Sequence, residues 1–177
     1  MKKRFWTLDK LIGFVALFVS VMTLIIFIKQ TNLMDKQSRL SVMPYLVIEN
    51  SNNSEDNEFI IEVYNYGVGP AIIETKELFY SESHGNIEFS DFVHSNMTAF
   101  DSLELNSYST LDKGLAIPAG QSRTIAKVTK DSVQYHKFLK MTEMLEENDF
   151  NYVINYKSIY NDRWKIDIRS SEPLPLE

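Results

Sequence analysis

The stretch LIGFVALFVSVMTLIIFI, residues 11–28, decides how this chain is organised. It contains no charged residue, and its polar side chains are the hydroxyls of Ser20 and Thr23. As a helix it would rise roughly 27 Å at about 1.5 Å per residue. That rise is close to the ~30 Å hydrocarbon thickness of a bilayer. Because backbone groups in lipid must be hydrogen-bonded within the segment, we predict a transmembrane helix over residues 11–28.

The ten residues before this stretch, MKKRFWTLDK, suit either a secretory signal peptide or a retained membrane anchor. A signal peptide has an apolar region of about 7–15 residues, followed by a small-residue cleavage site. Here the apolar run is longer, and residues 29–34, KQTNLM, hold no such site. We therefore expect a short N-terminal segment, 1–10, and a retained anchor. Phe5 and Trp6 stand where aromatic side chains favour the membrane–water interface.

The basic residues on either side of the stretch bear on its orientation. Four Lys or Arg residues precede it, and three follow it by residue 39. Lys and Arg near the ends of a span favour the cytoplasmic side. We therefore predict a single-pass protein of the plasma (inner) membrane, with a cytoplasmic N-terminus and a soluble domain outside the cytoplasm.

Small and hydroxyl side chains recur on one face of the predicted span. Gly13, Ala16, Ser20 and Thr23 follow one another at spacings of three, four and three residues. Such stripes let helices approach closely and hydrogen-bond across the contact. We predict a transmembrane interface at these residues, either with a partner helix or with the chain itself; chance within an apolar stretch is the alternative.

Charge is divided unevenly along the chain. Residues 1–39 hold seven basic and two acidic residues, a net charge of +5, and the remainder holds 11 basic and 22 acidic residues, a net charge of −11. Nucleic-acid binding needs a basic surface, so we expect no nucleic-acid partner. The chain has no cysteine, which excludes disulfides, thiol catalysis and Cys-ligated zinc.

Beyond the anchor we predict a stalk or linker at 29–43, a β-rich domain at 44–169 and a flexible tail at 170–177. Pro44 ends the segment that could continue the helix, since the residue before a proline is pushed out of the helical region. Strands are predicted over 45–49, 58–66, 71–80, 102–111, 122–128, 150–160 and 163–169. One clear helix is predicted at 131–147, with Asp131 as its N-cap.

Two turn-forming segments punctuate the domain: NYGVGPA at 65–71, between two predicted strands, and IPAGQ at 117–121, before a third. The first lacks the third glycine of a dinucleotide-binding loop, because residue 72 is isoleucine, so we interpret it as a tight turn or bulge. With the MPY sequence at 43–45, these segments resemble immunoglobulin-like modules of bacterial single-pass membrane proteins. The resemblance implies a mainly β fold, an antiparallel β-sandwich with one inserted helix. It assigns no functional residue.

No catalytic, metal-binding or cofactor-binding motif stands out. His84 and His94, with Asp91 and Asp101 nearby, are compatible with a metal site or a hydrolytic dyad. Their spacing matches no helix-borne pair, and exposed loop histidines are the simpler interpretation. We therefore predict no catalytic residue, no metal and no cofactor.

Aromatic residues provide a candidate binding surface, because Tyr and Trp dominate binding hot spots. The residues concerned would crowd one end of a sandwich: Tyr64 and Tyr66, and, in the strongest predicted strand pair, Tyr152, Tyr156, Tyr160 and Trp164. The alternative is that they are core and edge residues of aromatic-rich strands.

Three functions stay open at this point. The leading hypothesis is a non-enzymatic, membrane-anchored module that binds another protein or serves in assembly. The second is a membrane sensor or regulatory subunit that binds a small ligand. The third is a hydrolase or metal enzyme built around His84 and His94.

Overall fold

The computed structural model describes residues 8–81, 83–96 and 98–176. They fall into two units, one that ends at Ser41 and contains a long helix, and a domain that begins at Val42. Of the predicted N-terminal segment, only residues 8–10 belong to the described part of the chain, and they are helical. The predicted interfacial residues Phe5 and Trp6 lie outside the described residues.

The first unit is built on helix α1 (Leu8–Leu40), which contains the whole apolar stretch and continues through the predicted stalk. Residues 29–40 hold neither Gly nor Pro, and an ion pair one turn apart joins Arg39 Nε to Asp35 Oδ2 at 3.0 Å. No described residue of α1 is buried within the chain. By length and composition, α1 is long and apolar enough to cross a membrane.

The described residues of the domain form nine strands and two further helices. In chain order these are β1 (Leu46–Asn53), β2 (Glu58–Asn65), β3 (Ala71–Tyr80), β4 (Ser83–Gly85), α2 (Phe89–Ser95), β5 (Ala116–Ile117), β6 (Ser122–Val128), α3 (Ser132–Glu147), β7 (Asn151–Lys157), β8 (Arg163–Asp167) and β9 (Leu174–Leu176). The strands pair antiparallel in two sheets. The smaller has the order β1-β2-β6, and the larger has the order β4-β3-β7-β8-β9, with β5 also paired to β3.

One hydrophobic core draws on both sheets and on both helices of the domain. β2 shows why: Phe59, Ile61 and Val63 alternate with outward-facing residues and are all buried, as a half-buried strand requires. The prediction of antiparallel sheets after a long apolar helix is thus confirmed. The expectation of a mainly β chain is corrected to a mixture of helix and sheet, because the three helices contribute about as many residues as the strands do.

Helix α3 begins as the sequence predicts. Asp131 is its N-cap, and the Asp131 carboxylate accepts hydrogen bonds from the N–H groups of Val133 at 2.8 Å and Gln134 at 3.0 Å. Its buried residues recur at the three- and four-residue spacing of an amphipathic helix: Tyr135, Phe138, Met141 and Leu145.

A bulge in β3 changes which of its side chains face the core. The pairing of β3 with β7 shifts register between Ile73 and Thr75. As a result Thr75 is exposed, and the next buried side chain after Ile73 is that of Lys76. The Lys76 ammonium donates to the Glu88 carboxylate and, at 3.1 Å, to the carbonyl oxygen of Leu111. Glu88 Oε1 also accepts from the N–H of Leu111 at 3.0 Å. Lys76 and Glu88 are each 9% exposed, and this pairing is what makes their burial tolerable.

The carboxamide of Asn65 organises the start of the domain. Its Oδ1 accepts from the N–H groups of Tyr45 at 3.1 Å and Gly67 at 3.0 Å. Its Nδ2 donates to the carbonyl oxygens of Gly69 and Ile117, both at 2.9 Å. Asn65 is fully buried, and these four bonds use both donors and both acceptor positions of the amide. The predicted turn at 65–71 is therefore a clamp on the first residues of the domain.

Two glycines of this turn let the backbone of residues 42–45 approach closely. A Cβ at Gly67 would lie 2.4 Å from the carbonyl oxygen of Met43, and one at Gly69 would lie 1.9 Å from that of Val42. Val68 and Gly69 both donate their N–H groups to the Met43 carbonyl oxygen, at 3.0 and 3.3 Å. The glycines therefore serve backbone packing.

Two predictions for the domain are wrong. Residues 102–111, all of them described, form no strand; they make an isolated bridge from Ser107 to Lys127 and single backbone bonds to the edge of β6. Leu103 and Leu111 are nonetheless buried, at 3% and 2% exposed, and they reach the core from irregular backbone. The predicted flexible tail also contains strand β9, paired with β8. Pro175 fits there because an edge strand tolerates a residue that donates no hydrogen bond.

Gly69→Ala should destabilise the domain by at least about 2–3 kcal/mol, because a backbone atom meets the new methyl group and no rotamer change relieves the overlap. Gly85→Ala is the matched control, since its Cβ would meet only Ile87 Cγ2, at 3.8 Å. Urea unfolding of the full-length protein in detergent, followed by tryptophan fluorescence, compares the two variants. Equal unfolding midpoints would contradict the clamp.

Candidate functional site

Strand pairing brings the first residues of the domain and three loops to one end. β1 begins where β2 ends, and Ala71 of β3 pairs with Ile117 of β5. Ile72 pairs with Lys157, the last residue of β7, so the loop after β7 lies at the same end. We call this the proximal end because it contains the first residues of the domain. It comprises residues 42–46 and the loops 66–70, 118–121 and 158–162.

Large apolar side chains are exposed at the proximal end. Val68 is 66% and Tyr66 57% exposed in the loop after β2, and Ile159 is 56% and Tyr160 42% exposed in the loop after β7. Apolar surface gains about 25 cal/mol per Å² when a partner removes it from water. The proximal end thus has the composition of a contact surface.

Tyr66 is held in position by contacts within the domain. Its ring lies against that of Tyr64, with centroids 4.3 Å apart, and its hydroxyl donates to the Glu49 carboxylate at 2.6 Å. This hydrogen bond, which requires the protonated phenol, raises the pKa of Tyr66 above its ordinary value. The Tyr64 hydroxyl donates in turn to the carbonyl oxygen of Gly120 at 3.0 Å. A fixed ring loses little conformational entropy on binding.

The aromatic residues that the sequence offered as a binding surface divide into two groups. Tyr152 and Tyr156 are 1% and 0% exposed, so the prediction of a surface is wrong for them: they lie on the face of β7 that packs into the core. Tyr160 is exposed in the loop after β7. Trp164 is half-buried and stacks on Tyr156, with ring centroids 5.8 Å apart.

The two buried tyrosines differ in what their hydroxyls contact. The Tyr156 hydroxyl accepts a hydrogen bond from the N–H of Leu46 at 3.2 Å, which ties β1 to the larger sheet. Burial raises the pKa of Tyr156 to about 12. The Tyr152 hydroxyl has no hydrogen-bond partner among the described residues, and burial, with a contribution from the Glu88 carboxylate, raises its pKa also.

A cleft of about 340 Å³ lies between β1, the end of β8 and the C-terminal half of α3. Its apolar lining consists of Ile61, Leu145, Phe150 and Ile168, and its polar lining of Asn50, Thr142, Glu146, Asp149 and Arg169. The Arg169 Nε donates to the carbonyl oxygen of Phe150 at 3.1 Å, which fixes one wall. An apolar floor with a few polar groups is typical of sites for small molecules.

The histidines of the enzyme hypothesis line different pockets. His94 and Asp91 border an open groove of about 500 Å³ between α2 and residues 103–108. His84 stacks instead on Phe79 in the β3–β4 hairpin, with ring centroids 5.7 Å apart. The residues described include no group of three or more His, Cys, Asp or Glu side chains placed to hold a metal ion.

The stripe predicted as a transmembrane interface lies within the exposed face of α1. The Ser20 hydroxyl donates to the carbonyl oxygen of Ala16, and that of Thr23 to the carbonyl oxygen of Val19, each at 2.8 Å. No side chain within 4 Å would meet a Cβ at Gly13. The interface at Gly13, Ala16, Ser20 and Thr23 stays a prediction.

Sequence reasoning missed Val68 and Ile159 of the proximal end, and it missed the cleft. Val68 carried a usable signal, because an apolar residue between two glycines of a turn is more often exposed than buried. Ile159 was assigned to a predicted strand over 150–160, but the strand ends at Lys157, so Ile159 lies in the following loop. The cleft joins residues from four separate segments, which no local pattern can bring together.

Comparison with known proteins identifies one family. A family model described as "Domain of unknown function (DUF8453)" matches residues 10–172, more than nine-tenths of the chain. No curated protein and no solved structure matches the chain at a significant level.

Tyr156→Phe should lower the free energy of unfolding by about 1–3 kcal/mol, because it leaves the buried N–H of Leu46 without an acceptor. Tyr152→Phe removes a hydroxyl that has no partner among the described residues and should leave stability unchanged or raise it. Urea unfolding of both variants in detergent makes the comparison. A larger loss in Tyr152→Phe would contradict the assigned contacts.

Proposed function

The chain belongs to the DUF8453 family, and from this premise we propose that it is a non-enzymatic, membrane-anchored module that recognises another protein. The match begins at residue 10 and ends at residue 172. It therefore includes both α1 and the domain, which supports a helix that is retained as an anchor.

In this proposal α1 crosses the plasma (inner) membrane once, with the N-terminus in the cytoplasm and the domain outside. The exposure of every described side chain in the apolar stretch supports a lipid environment. The four basic residues before the stretch, against three after it, support the orientation.

We further propose that the domain is an immunoglobulin-like β-sandwich. Two antiparallel sheets that share one core support this assignment. So does the position of the segments 65–71 and 117–121, which hydrogen-bond to each other through Asn65 and Ile117.

The observation that carries the proposed function is the exposure of Val68, Tyr66 and Ile159 in two loops of the proximal end. The chain from residue 40 onward has a net charge of −11. Complementarity of charge across an interface favours correct partners and faster association. We therefore propose a partner that presents an apolar contact surface bordered by basic residues.

Replacing Val68 and Ile159 together by serine should weaken capture of this partner at least about tenfold, because burying each such side chain contributes about 1.5–3 kcal/mol. The control replaces Val133 and Ile87, which are 63% and 39% exposed elsewhere on the domain, by serine. The measurement is amine-reactive crosslinking on intact cells, followed by purification of the full-length protein and mass spectrometry.

A protein that is captured by the wild type and the control, and lost with the Val68 and Ile159 variant, is the expected result. If no protein distinguishes the two variants, recognition through the proximal end is wrong. A crosslinker that cannot cross membranes should capture the partner as well as a permeant one. Capture by the permeant reagent alone would place the domain in the cytoplasm.

A second function, a sensor of a small ligand, is favoured by the cleft beneath α3. Its apolar floor and the carboxylate of Glu146 suit a small, mostly apolar molecule that carries an amine, whereas the Asp149 carboxylate is paired with Arg169 at 3.5 Å. Binding would stabilise the folded domain by mass action, by about 2.7 kcal/mol at a hundredfold excess over Kd.

Thr142→Trp should abolish this stabilisation by filling the cleft, whereas Glu143→Trp, on the neighbouring exposed face of α3, should preserve it. The measurement is the thermal unfolding midpoint of the full-length protein in detergent, across a set of apolar amines. Equal shifts in the two variants would show that the compounds act elsewhere. The absence of any shift in the wild type would eliminate the sensor function for this ligand class.

A further inference from the structure

Uncharged residues recur along α1 with the alternating three- and four-residue spacing of a coiled coil. One set, spaced by seven, is Ile12, Val19, Ile26, Leu33 and Leu40. The set between them, also spaced by seven, is Ala16, Thr23, Gln30 and Gln37. We call these nine positions the seam. A period of 3.5 residues keeps such a seam facing a partner helix in a left-handed supercoil.

The charged residues of the polar part of α1 all lie off the seam: Lys29, Asp35, Lys36 and Arg39. Among the heptad frames that avoid these four residues, only the seam contains both Leu33 and Leu40. The ion pair between Asp35 and Arg39 occupies outer positions of the same frame. In this polar part the seam alternates Leu33 and Leu40 with Gln30 and Gln37, and it is the uncharged line that carries both leucines.

Lipid cannot cover the end of the seam at Leu40, whereas Leu33, about 7.5 Å beyond Ile28, still reaches the headgroup layer. Leu40 lies about 18 Å along the helix beyond Ile28, at about 1.5 Å per residue, whereas the headgroup layer is only about 5–8 Å thick on each side. Leu33 and Leu40 are 56% and 54% exposed. A short polar helix with no packing partner is marginal in water, so another helix would stabilise this segment.

We propose that the occupant of the seam is α1 of a second copy of the chain, parallel and in register. This proposal rests on the membrane insertion proposed above, which gives all copies one orientation. In a symmetric pair each seam residue meets its own equivalent, and uncharged residues allow this contact without repulsion. Gln30 and Gln37 would pair across the contact, and polar residues at such positions fix the register.

The residues that flank the seam also permit self-pairing. In this frame Lys29 faces Met34 of the second copy and Lys36 faces Ser41, so no like charges are opposed between residues 12 and 41. Asp9, seven residues before Ala16, falls in the same frame and meets its own equivalent at the start of the helix.

Gly13 and Ser20 border the seam within the span, where small residues allow helices to approach closely. Of the stripe of small residues, Ala16 and Thr23 thus lie on the seam, and Gly13 and Ser20 lie on its flank.

Single-cysteine variants test the seam directly, since the chain has no cysteine of its own. Leu33→Cys and Leu40→Cys lie on the seam, and Thr31→Cys and Ser38→Cys are controls on the outer face of the same segment. Membranes that contain each full-length variant are oxidised with copper phenanthroline and run on non-reducing gels. The seam variants should form at least about fivefold more disulfide-linked dimer than the controls, because a disulfide needs Cβ atoms about 3.5–4.5 Å apart.

Equal dimer yields at the four positions, or no dimer at any of them, would overturn the proposal. Carbonate extraction of the same membranes separates this result from failure of the anchor. A chain that resists extraction but shows no excess of seam dimers is anchored and does not pair through α1. A chain that is extracted is not anchored in the membrane. In that case the dimer yield of the seam variants relative to the controls is measured in the soluble fraction, and an equal yield overturns the proposal.

Discussion

Four hydrogen bonds to the buried carboxamide of Asn65 join segments that are far apart in the sequence. They reach the backbone at Tyr45, before β1, at both glycines of the following turn, and at Ile117, in β5. Only a carboxamide offers two donors and two acceptor positions of this kind. Aspartate would place a carboxylate against two carbonyl oxygens, and an apolar residue would leave four backbone groups unpaired. The beginnings of β1 and β3 therefore depend on this one side chain.

The pair of Lys76 and Glu88 has a comparable role at the other side of the core. Breaking a buried ion pair by removing one partner costs about 3–5 kcal/mol, although the intact pair contributes little relative to apolar residues of the same size. Its value to this fold is positional. By holding Leu111 through both its N–H and its carbonyl oxygen, the pair fixes one end of the irregular segment 102–111.

Local pattern was enough to predict α1, β2, β3, β6 and α3 as elements, because each carries a long apolar run, an alternation or a helical spacing over most of its length. The bulge in β3 interrupts the alternation of that strand at Thr75. No residue type in the strand indicates a bulge, so the burial of Lys76 could not be predicted from the sequence. Alternation placed Tyr152 and Tyr156 on one face of β7 but did not say which face points inward. The burial of Asn65 could have been predicted, since Asn65 follows Phe59, Ile61 and Val63 at the same two-residue spacing on the buried face of β2. The exposure of Val68 and Ile159 depends on where the strands end, which is the least certain part of any sequence pattern.

Strand β9 closes the larger sheet with a residue that cannot extend it. Pro175 lies opposite Trp164 and has no N–H to offer to a further strand. Exposed strand edges are the usual starting points of sheet-to-sheet aggregation, and proline is a common safeguard. In the membrane-anchored state proposed above, copies of the domain would meet in two dimensions, where crowding multiplies the chance of edge-on collision. A blunted edge would let such copies share a small area of membrane and remain separately folded.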